Sequence, residues 1–413
     1  MVSFSFLHAA DLHLDSPLRG LDPDAPAARI RGATREALVN LVDLALQRQV
    51  AFVLLSGDLY DGDIKDVRTG HFLLEQLGRL ERAGVGVFAI RGNHDAEQVI
   101  TRHLPFPGTM FRADKAHTHV LDGLEVAIHG QSFPTRAVHD NLVRNYPDPV
   151  DGHFNIGLLH TACGSGEHAN YAPCGPEDLV ARGYDYWALG HVHGRQEVAR
   201  DPWIVFPGNI QGRHVNEEGA KGVTIVHVES GRVRDVEHAA VDVLRWVKLQ
   251  VDVTGLADME AVHEAAAAAI RDALAAVEDR MLAVRLTLHG ATPLHAALVR
   301  GGSEMRGDMR AAAAIVADGE RLWVEDVRVG TRSPETRRGD EGVAAALLAA
   351  IEEDVGDSPA LLALVKDLVG GATAKPGDDL LAGHPALAIL EGGLPAELVE
   401  RARALVLAEL MGR

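Results

Sequence analysis

Apolar runs that stop on a polar cluster constrain this chain more than any other feature. Ala51 to Leu55 is uninterrupted and halts at Ser56-Gly57-Asp58, and Val85 to Ile90 runs into Arg91-Gly92-Asn93-His94-Asp95. A run of that length without polar alternation reads as a strand buried on both faces, and the glycine beyond it permits a sharp turn. The same style predicts strands over Phe4 to His8, Glu125 to His129, Asn155 to Leu159 and Tyr184 to Leu189. Ala28 to Gln49 and Val67 to Ala83 carry helical spacing between them. The first half therefore alternates strand and helix, the pattern of an α/β layered fold. Trp203 to Phe206 and Gly222 to Val228 read as closing antiparallel strands.

Five of these strand ends carry metal-ligand side chains: Asp11 and His13, Asp58, Asn93 with His94, His160, and His191 with His193. Residues two apart in extended chain share a face, so Asp11 converges with His13 and His191 with His193. Asp58, projecting from a glycine turn, is the candidate bridge, because one carboxylate can hold two cations. Asn93 offers a neutral carbonyl oxygen. His94 sits beside the site without having to be a ligand, which suits protonation of a leaving oxygen or support of the transition state. Asp95 is expected to orient His94. Mixed His, Asp and Asn ligation favours Mn, Fe or Zn over Mg or Ca. Two such ions about 3.5–4 Å apart can polarise a phosphoryl group and neutralise charge during in-line displacement. No P-loop, Gly-x-Ser-x-Gly elbow or Cys-x-x-Cys pair competes for the role. Of the 21 histidines, His8, His71, His103, His129 and His227 read as core or surface. Arg213, His214 and His168 lie in loops near the clusters and are candidate phosphate contacts.

The length of 413 residues suits two or three domains, and 47% hydrophobic with 24% charged residues fits a globular protein. A signal peptide and a membrane span are both unsupported, so a cytoplasmic location is expected. Cys163 and Cys174 then read as free thiols in a reducing compartment rather than as a disulfide. The net charge of −19 opposes unaided DNA affinity, but bound dications would reverse the sign where a phosphate sits. Much of the acid is remote: Asp340 to Arg413 holds thirteen Asp or Glu against five Lys or Arg.

A change of texture follows Val241. Trp246 to Val253, Leu282 to Leu288 and Leu322 to Val329 read as strands, with an alanine-rich helix over Met259 to Val277. This suggests a small separate domain. Its arginines, Arg300, Arg306, Arg310, Arg321 and Arg328, read either as a DNA-facing patch or as a solvated face balanced by acids. Arg332 to Gly339 reads as a linker, and helices are expected from Glu341 onward. Leu394, Leu398, Ala402, Leu405 and Ala408 form one amphipathic stripe there.

The order Asp-x-His, Gly-Asp, Gly-Asn-His, His, Gly-His-x-His resembles the calcineurin-like metallophosphoesterases. The flanking residues of His8 to Pro17, Gly57 to Asp61, Tyr171 to Cys174, Tyr184 to His193 and Phe206 to His214 are similar to bacterial DNA repair exonucleases of the SbcD and YhaO type. That resemblance covers residues 1 to about 240. It implies an α/β fold, a four-layer β-sandwich flanked by helices, followed by a small α+β capping domain and a helical C-terminal segment. The implied domains are 1–240 (nuclease), 245–332 (cap) and 340–413 (helical). It implies Asp11, His13, Asp58 and His193 around one metal, and Asp58, Asn93, His160 and His191 around the other. His94 matches the family's catalytic histidine, and the family's usual metal is manganese. The implied activity is a Mn-dependent DNA exonuclease, 3′-5′ with endonuclease capability, acting in repair. The rival readings are a phosphomonoesterase or cyclic-nucleotide phosphodiesterase, or a scaffold for a repair ATPase. DNA, an SMC-like ATPase subunit and a second copy of the chain are the implied partners.

Overall fold

The computed structural model describes residues 2–16, 27–62, 66–96, 104–164, 171–277, 279–319 and 321–334. It has the expected α/β architecture. Strands β1 (Phe4–Ala9), β2 (Phe52–Ser56), β3 (Gly86–Ile90) and β4 (Thr109–Met110) enter one sheet. β5 (His117–Leu121), β6 (Val126–Gly130), β7 (Phe154–His160), β8 (Tyr186–Gly190), β9 (Gln196–Arg200) and β10 (Trp203–Phe206) build a second. β11 (Gly222–Glu229) and β12 (Arg232–Ala240) return to the first. The orders are β12-β11-β1-β2-β3-β4 and β5-β6-β7-β8-β10-β9.

β1 to β4 run parallel to one another, as do β6, β7, β8 and β10. β11 is antiparallel to β1, as expected. The expectation for Trp203 to Phe206 needs correction: β10 is parallel to β8 and antiparallel only to β9, which takes the edge outside it. Helices α1 (Ala27–Gln47), α2 (Val67–Arg82) and α3 (Pro176–Ala181) flank this part of the chain. α1 ends two residues before the expected Gln49, because Gln49 adopts a left-handed φ of 49°.

Strand alternation distributes the core between layers. Phe6, Phe52, Leu54 and Phe88 face Ile128, Ile156, Tyr186 and Val205 of the second sheet. Phe6 and Phe52 stack with ring centroids 5.1 Å apart. Leu7, Val53 and Leu55 point the other way, onto Leu38 and Leu41 of α1 and Leu73 and Leu77 of α2. On the far side of the second sheet, Leu159, Trp187, Leu189 and Phe206 pack with Tyr146 and with Leu179 of α3. All five residues of β2 are buried, which is why its sequence lacks polar alternation. Both faces being covered leaves the strand ends as the place for polar function.

The chain divides into two compact units. The first comprises Met1–Lys248, Ala273–Arg285 and Ala317–Glu325; the second comprises Leu249–Asp272, Leu286–Val316 and the described residues from Asp326. β13 (Leu244–Asp252), β14 (Met281–Ala291) and β15 (Leu322–Arg332) form a third sheet in that order, so its strands are divided between the units. α4 (Met259–Ala275) matches the expected helix. α5 (His295–Val316), kinked at Gly302 with φ 45° and ψ −118°, was not anticipated. The helices expected after Glu341 lie outside the described residues. Among the described residues, no helix is long and apolar enough to cross a membrane.

The layering predicts contrasting sensitivities. Leu54→Ala, fully buried between sheets, should lower stability by about 2–5 kcal/mol. Val120→Ala, on the exposed edge strand β5, should stay within about 0.5 kcal/mol. Urea unfolding midpoints of the two variants compare them directly, and equal losses would contradict the layer assignment.

Candidate metal centre

Five loops leave the carboxyl ends of β1, β2, β3, β7 and β8, the end where parallel sheets gather ligands. Main-chain bonds zip the first two loops together: Asp11 N donates to Gly57 O at 3.0 Å, and His13 N to Asp58 O at 3.0 Å. The His191 amide donates to both Asp11 carboxylate oxygens, at 3.1 and 3.0 Å. Two glycines permit the crowding. A Cβ at Gly92 would stand 2.2 Å from Asp58 Oδ1, and one at Gly190 would stand 2.0 Å from Ser56 O. Four of the expected ligands hold left-handed backbone: Asp11 (φ 53°), His13 (41°), Asp58 (53°) and His191 (104°). Such conformations cost on the order of 1–3 kcal/mol each and persist where the surroundings over-determine them.

The side chains gather in three overlapping groups. Ligand atoms of Asp11, His13 and His193 lie within 4.8 Å of one another, and so do those of Asp58, His160 and His191. A third such group, His13, Asp58 and His94, joins the two. Asn93 Oδ1 sits 3.0 Å from His160 Nε2. All seven expected ligands and His94 lie in the first unit.

The donor chemistry fits cations. His160 Nδ1 donates to Ser56 O at 2.9 Å, which leaves a lone pair on Nε2. That lone pair faces two acceptors, Asn93 Oδ1 at 3.0 Å and Asp58 Oδ2 at 3.5 Å. His193 Nδ1 donates to Glu217 Oε1 at 2.7 Å, and its Nε2 faces His13 Nε2 at 3.1 Å. His13 Nδ1 is buried 3.3 Å from Asp61 without a hydrogen bond of its own. At His160 acceptor meets acceptor, an arrangement that a divalent cation between them would relieve. The carboxylates agree. Burial pushes Asp58 up to about 6, while burial and the charge of Asp58 raise Asp11 well above the usual carboxylate range. Burial holds His160 down at about 3, so its ring is neutral and ligand-ready.

The roles around His94 differ from the sequence expectation. Asp95 does not reach the His94 ring. Its buried carboxylate accepts the amides of Leu59 (3.0 Å), Tyr60 (3.0 Å) and Gly92 (3.1 Å), stapling the β2 and β3 loops together. The carboxylate facing His94 belongs to Asp61, 3.6 Å from Nδ1. Adjacent turn residues point to different sides, so the partner comes from another loop. Asp61 also receives Ser16 Oγ at 2.8 Å and Arg213 at 3.2 Å. Asp61 and Glu217 were both missed by sequence reasoning. The only hint of Asp61 was a third acid in Gly57-Asp58-Leu59-Tyr60-Asp61, and Glu217 gave no signal. Arg213, a candidate phosphate contact, bridges Asp61 and Glu217 (3.8 Å). His214 Nε2 likewise faces Glu217 at 3.5 Å, and His168 lies outside the described residues. His8, read as core or surface, is core: buried, with its ring nitrogens on Tyr186 Oη at 3.0 Å and Leu189 O at 3.1 Å.

A cavity of about 1000 Å³ opens over the cluster, lined by Asp58, Asn93, His94, His191, His193 and Tyr171 among others. Its lining of carboxylate, amide and imidazole groups suits a phosphate ester. A family model described as calcineurin-like phosphoesterase matches residues 4–195. An uncharacterised metallophosphoesterase YhaO of Bacillus subtilis (strain 168) is 36% identical over 304 residues, which is 71% of this chain and 73% of that relative. The chain belongs to the calcineurin-like phosphoesterases. A second model, the middle domain of metallophosphoesterase YhaO, matches residues 246–332 of this phosphoesterase. More distant similarity links it to DNA double-strand break repair proteins Mre11. That of Methanopyrus kandleri is 24% identical over 278 residues (60% of this chain, 59% of that protein). That of Thermoplasma acidophilum is 26% identical over 274 residues (62% and 70%).

Glu217 holds His193 from behind, and loss of such a partner typically weakens metal affinity about 10–100-fold. Glu217→Ala should show that loss in calorimetric titration with Mn²⁺ while its far-ultraviolet circular dichroism stays that of the parent. Unchanged affinity would remove Glu217 from the site.

Proposed function

We propose that this phosphoesterase is a manganese-dependent DNA nuclease that hydrolyses phosphodiester bonds through a pair of cations. The convergence of seven ligand side chains on two adjoining sets, with Asp58 between them, is the observation that carries the reading. In this proposal Asp11, His13, Asp58 and His193 hold one ion, and Asp58, Asn93, His160 and His191 hold the other. When bound, such cations polarise the phosphoryl group and offset the charge that develops on it. The chain's own residues supply position and a proton. Asp61 faces His94 Nδ1, so Nε2 is the nitrogen left to meet the departing 3′ oxygen. Asp95 keeps the two loops that carry Asp58, Asn93 and His94 in register.

DNA as the substrate is supported by the similarity to Mre11 repair proteins and by the additional middle-domain match at 246–332. Enzymes for small phosphate esters need no such addition. On this reading residues 245–332 cap the nuclease domain, action is in repair, and exonuclease polarity is 3′-5′ with endonuclease capability. A cytoplasmic location, an SMC-like ATPase partner and a homodimer complete the proposal. The segment proposed to dock the ATPase, after Glu341, lies outside the described residues.

Labelled duplex and single-stranded DNA, incubated with the protein and Mn²⁺, Mg²⁺ or chelator, should be cut with Mn²⁺ and spared with chelator. Cleavage of a small chromogenic phosphodiester alone would favour the small-ester reading instead. His94→Ala should keep its bound-metal content and lose about 10²–10⁴-fold in turnover, the usual share of general acid catalysis. A collapse in metal content on elemental analysis would make His94 a ligand.

A further inference from the structure

Cys163 and Cys174 are free thiols that the hydrolytic site does not use, yet they stand at its edge. Segments 161–164 and 171–174 run side by side. Ala162 N donates to Tyr171 O at 2.9 Å, Gly164 N to Cys174 O at 3.2 Å, and Thr161 Oγ1 to Ala172 O at 2.7 Å. Thr161 Oγ1 also lies 3.4 Å from Cys174 Sγ. The two cysteines pack in one hydrophobic cluster. Cys163 lines the cavity together with Tyr171, whose ring centroid is 4.5 Å from that of His191. Three residues upstream of Cys163 is His160, at the end of β7.

We propose that Cys163 and Cys174 form a redox-active dithiol at the rim of the metal-centre cavity, which hydroperoxides convert to a disulfide that slows the enzyme. The pair is asymmetric in a way that suits this. The neighbouring Cys163 thiol holds the Cys174 thiol below its ordinary range, and Cys163 is pushed up in return. Cys174 is the more accessible of the two, Cys163 being buried. The Cys174 thiolate attacks one peroxide oxygen, breaking the O–O bond and giving a sulfenic acid and hydroxide. The Cys163 sulfur then attacks the Cys174 sulfur; its proton and the sulfenic hydroxyl leave as water. Two thiols and one hydrogen peroxide become one disulfide and two waters, the sulfurs losing two electrons to the peroxide.

Forming an S–S bond of about 2.05 Å draws the two segments together at their neck. That neck carries Tyr171 on one side and leads back to His160 on the other, so closure moves a wall of the cavity against two expected ligands. Misplacement of ~1 Å can cost ~100-fold in rate, and a drop of about tenfold is expected here. Reversible intramolecular disulfides of this kind are what a reducing compartment leaves to sensing roles.

The full chain, reduced and then treated with hydrogen peroxide, is mapped by mass spectrometry of non-reduced peptides. Hydrolysis of a chromogenic phosphodiester with Mn²⁺ is followed alongside. The expected result is a Cys163–Cys174 linked peptide lacking two hydrogens, a rate about tenfold lower, and recovery of both with dithiothreitol. Cys163→Ala and Cys174→Ala should each form no linked peptide, and neither rate, whatever its starting value, should show the reversible drop. Oxidation that leaves the cysteines separate, or a linked peptide with an unchanged rate, would overturn the proposal. The peptide map reads the dithiol itself, so it is independent of whether DNA proves to be the substrate.

Discussion

Buried carboxylates crowded at one point govern this structure. Asp11, Asp58 and Asp95 are all fully or nearly fully buried, and their mutual repulsion adds to the cost of removing each from water. Burial and the charge of Asp58 push Asp95 up to about 7 even though it accepts three main-chain amides. Two six-stranded sheets with covered faces provide the stiffness that keeps such groups together, and close glycine contacts between loops remove the remaining slack. The imidazoles add lone pairs rather than protons, because Ser56 and Glu217 fix the tautomers from behind. The acceptors gathered at the strand ends suit more positive charge than Arg213 beside them supplies. The net charge of −19 is less of an obstacle to a polyanionic substrate once that charge is present.

Much of the fold was legible in the sequence, and the omissions have a common cause. Central strands such as β2 are buried on both faces and announce themselves as apolar runs. The strands that went unread, β4, β5, β9 and β12, are the four edges of the two sheets. An edge strand pairs on one side only; β5, β9 and β12 carry charged or histidine side chains, so their composition resembles a loop, while β4 is two residues long. Arg232–Ala240 and Gln196–Arg200 illustrate this. Helix α5 escaped because Gly301, Gly302 and Gly307 interrupt its pattern.

Within the site, legibility stopped at the first layer of side chains. The ligand-type residues stood at strand ends in recognisable clusters and could be named individually. Their supports could not, since Glu217 reaches His193 across 24 positions and Asp61 reaches His94 from a different loop. Sequence adjacency was misleading in the one place where it was used to assign a contact. Asp95 follows His94 in the chain, but its carboxylate turns inward to main-chain amides. Short-range patterns identify atoms that bind; only tertiary packing identifies the atoms that aim them.

The left-handed backbone at Asp11, His13, Asp58 and His191 bears on how such a chain can decay. Each of these positions is conformationally unfavourable for the residue it holds, and three of the four side chains are buried. Glycine at any of them would ease the main chain, and a neutral residue at 11 or 58 would ease the electrostatics. Apart from the amides that Asp11 and Asp58 accept from His191 and His94, folding gives little reason to retain these residues. A lineage that no longer needed the chemistry would shed the ligands before it shed the fold. That all seven are present together is a statement about use rather than about architecture.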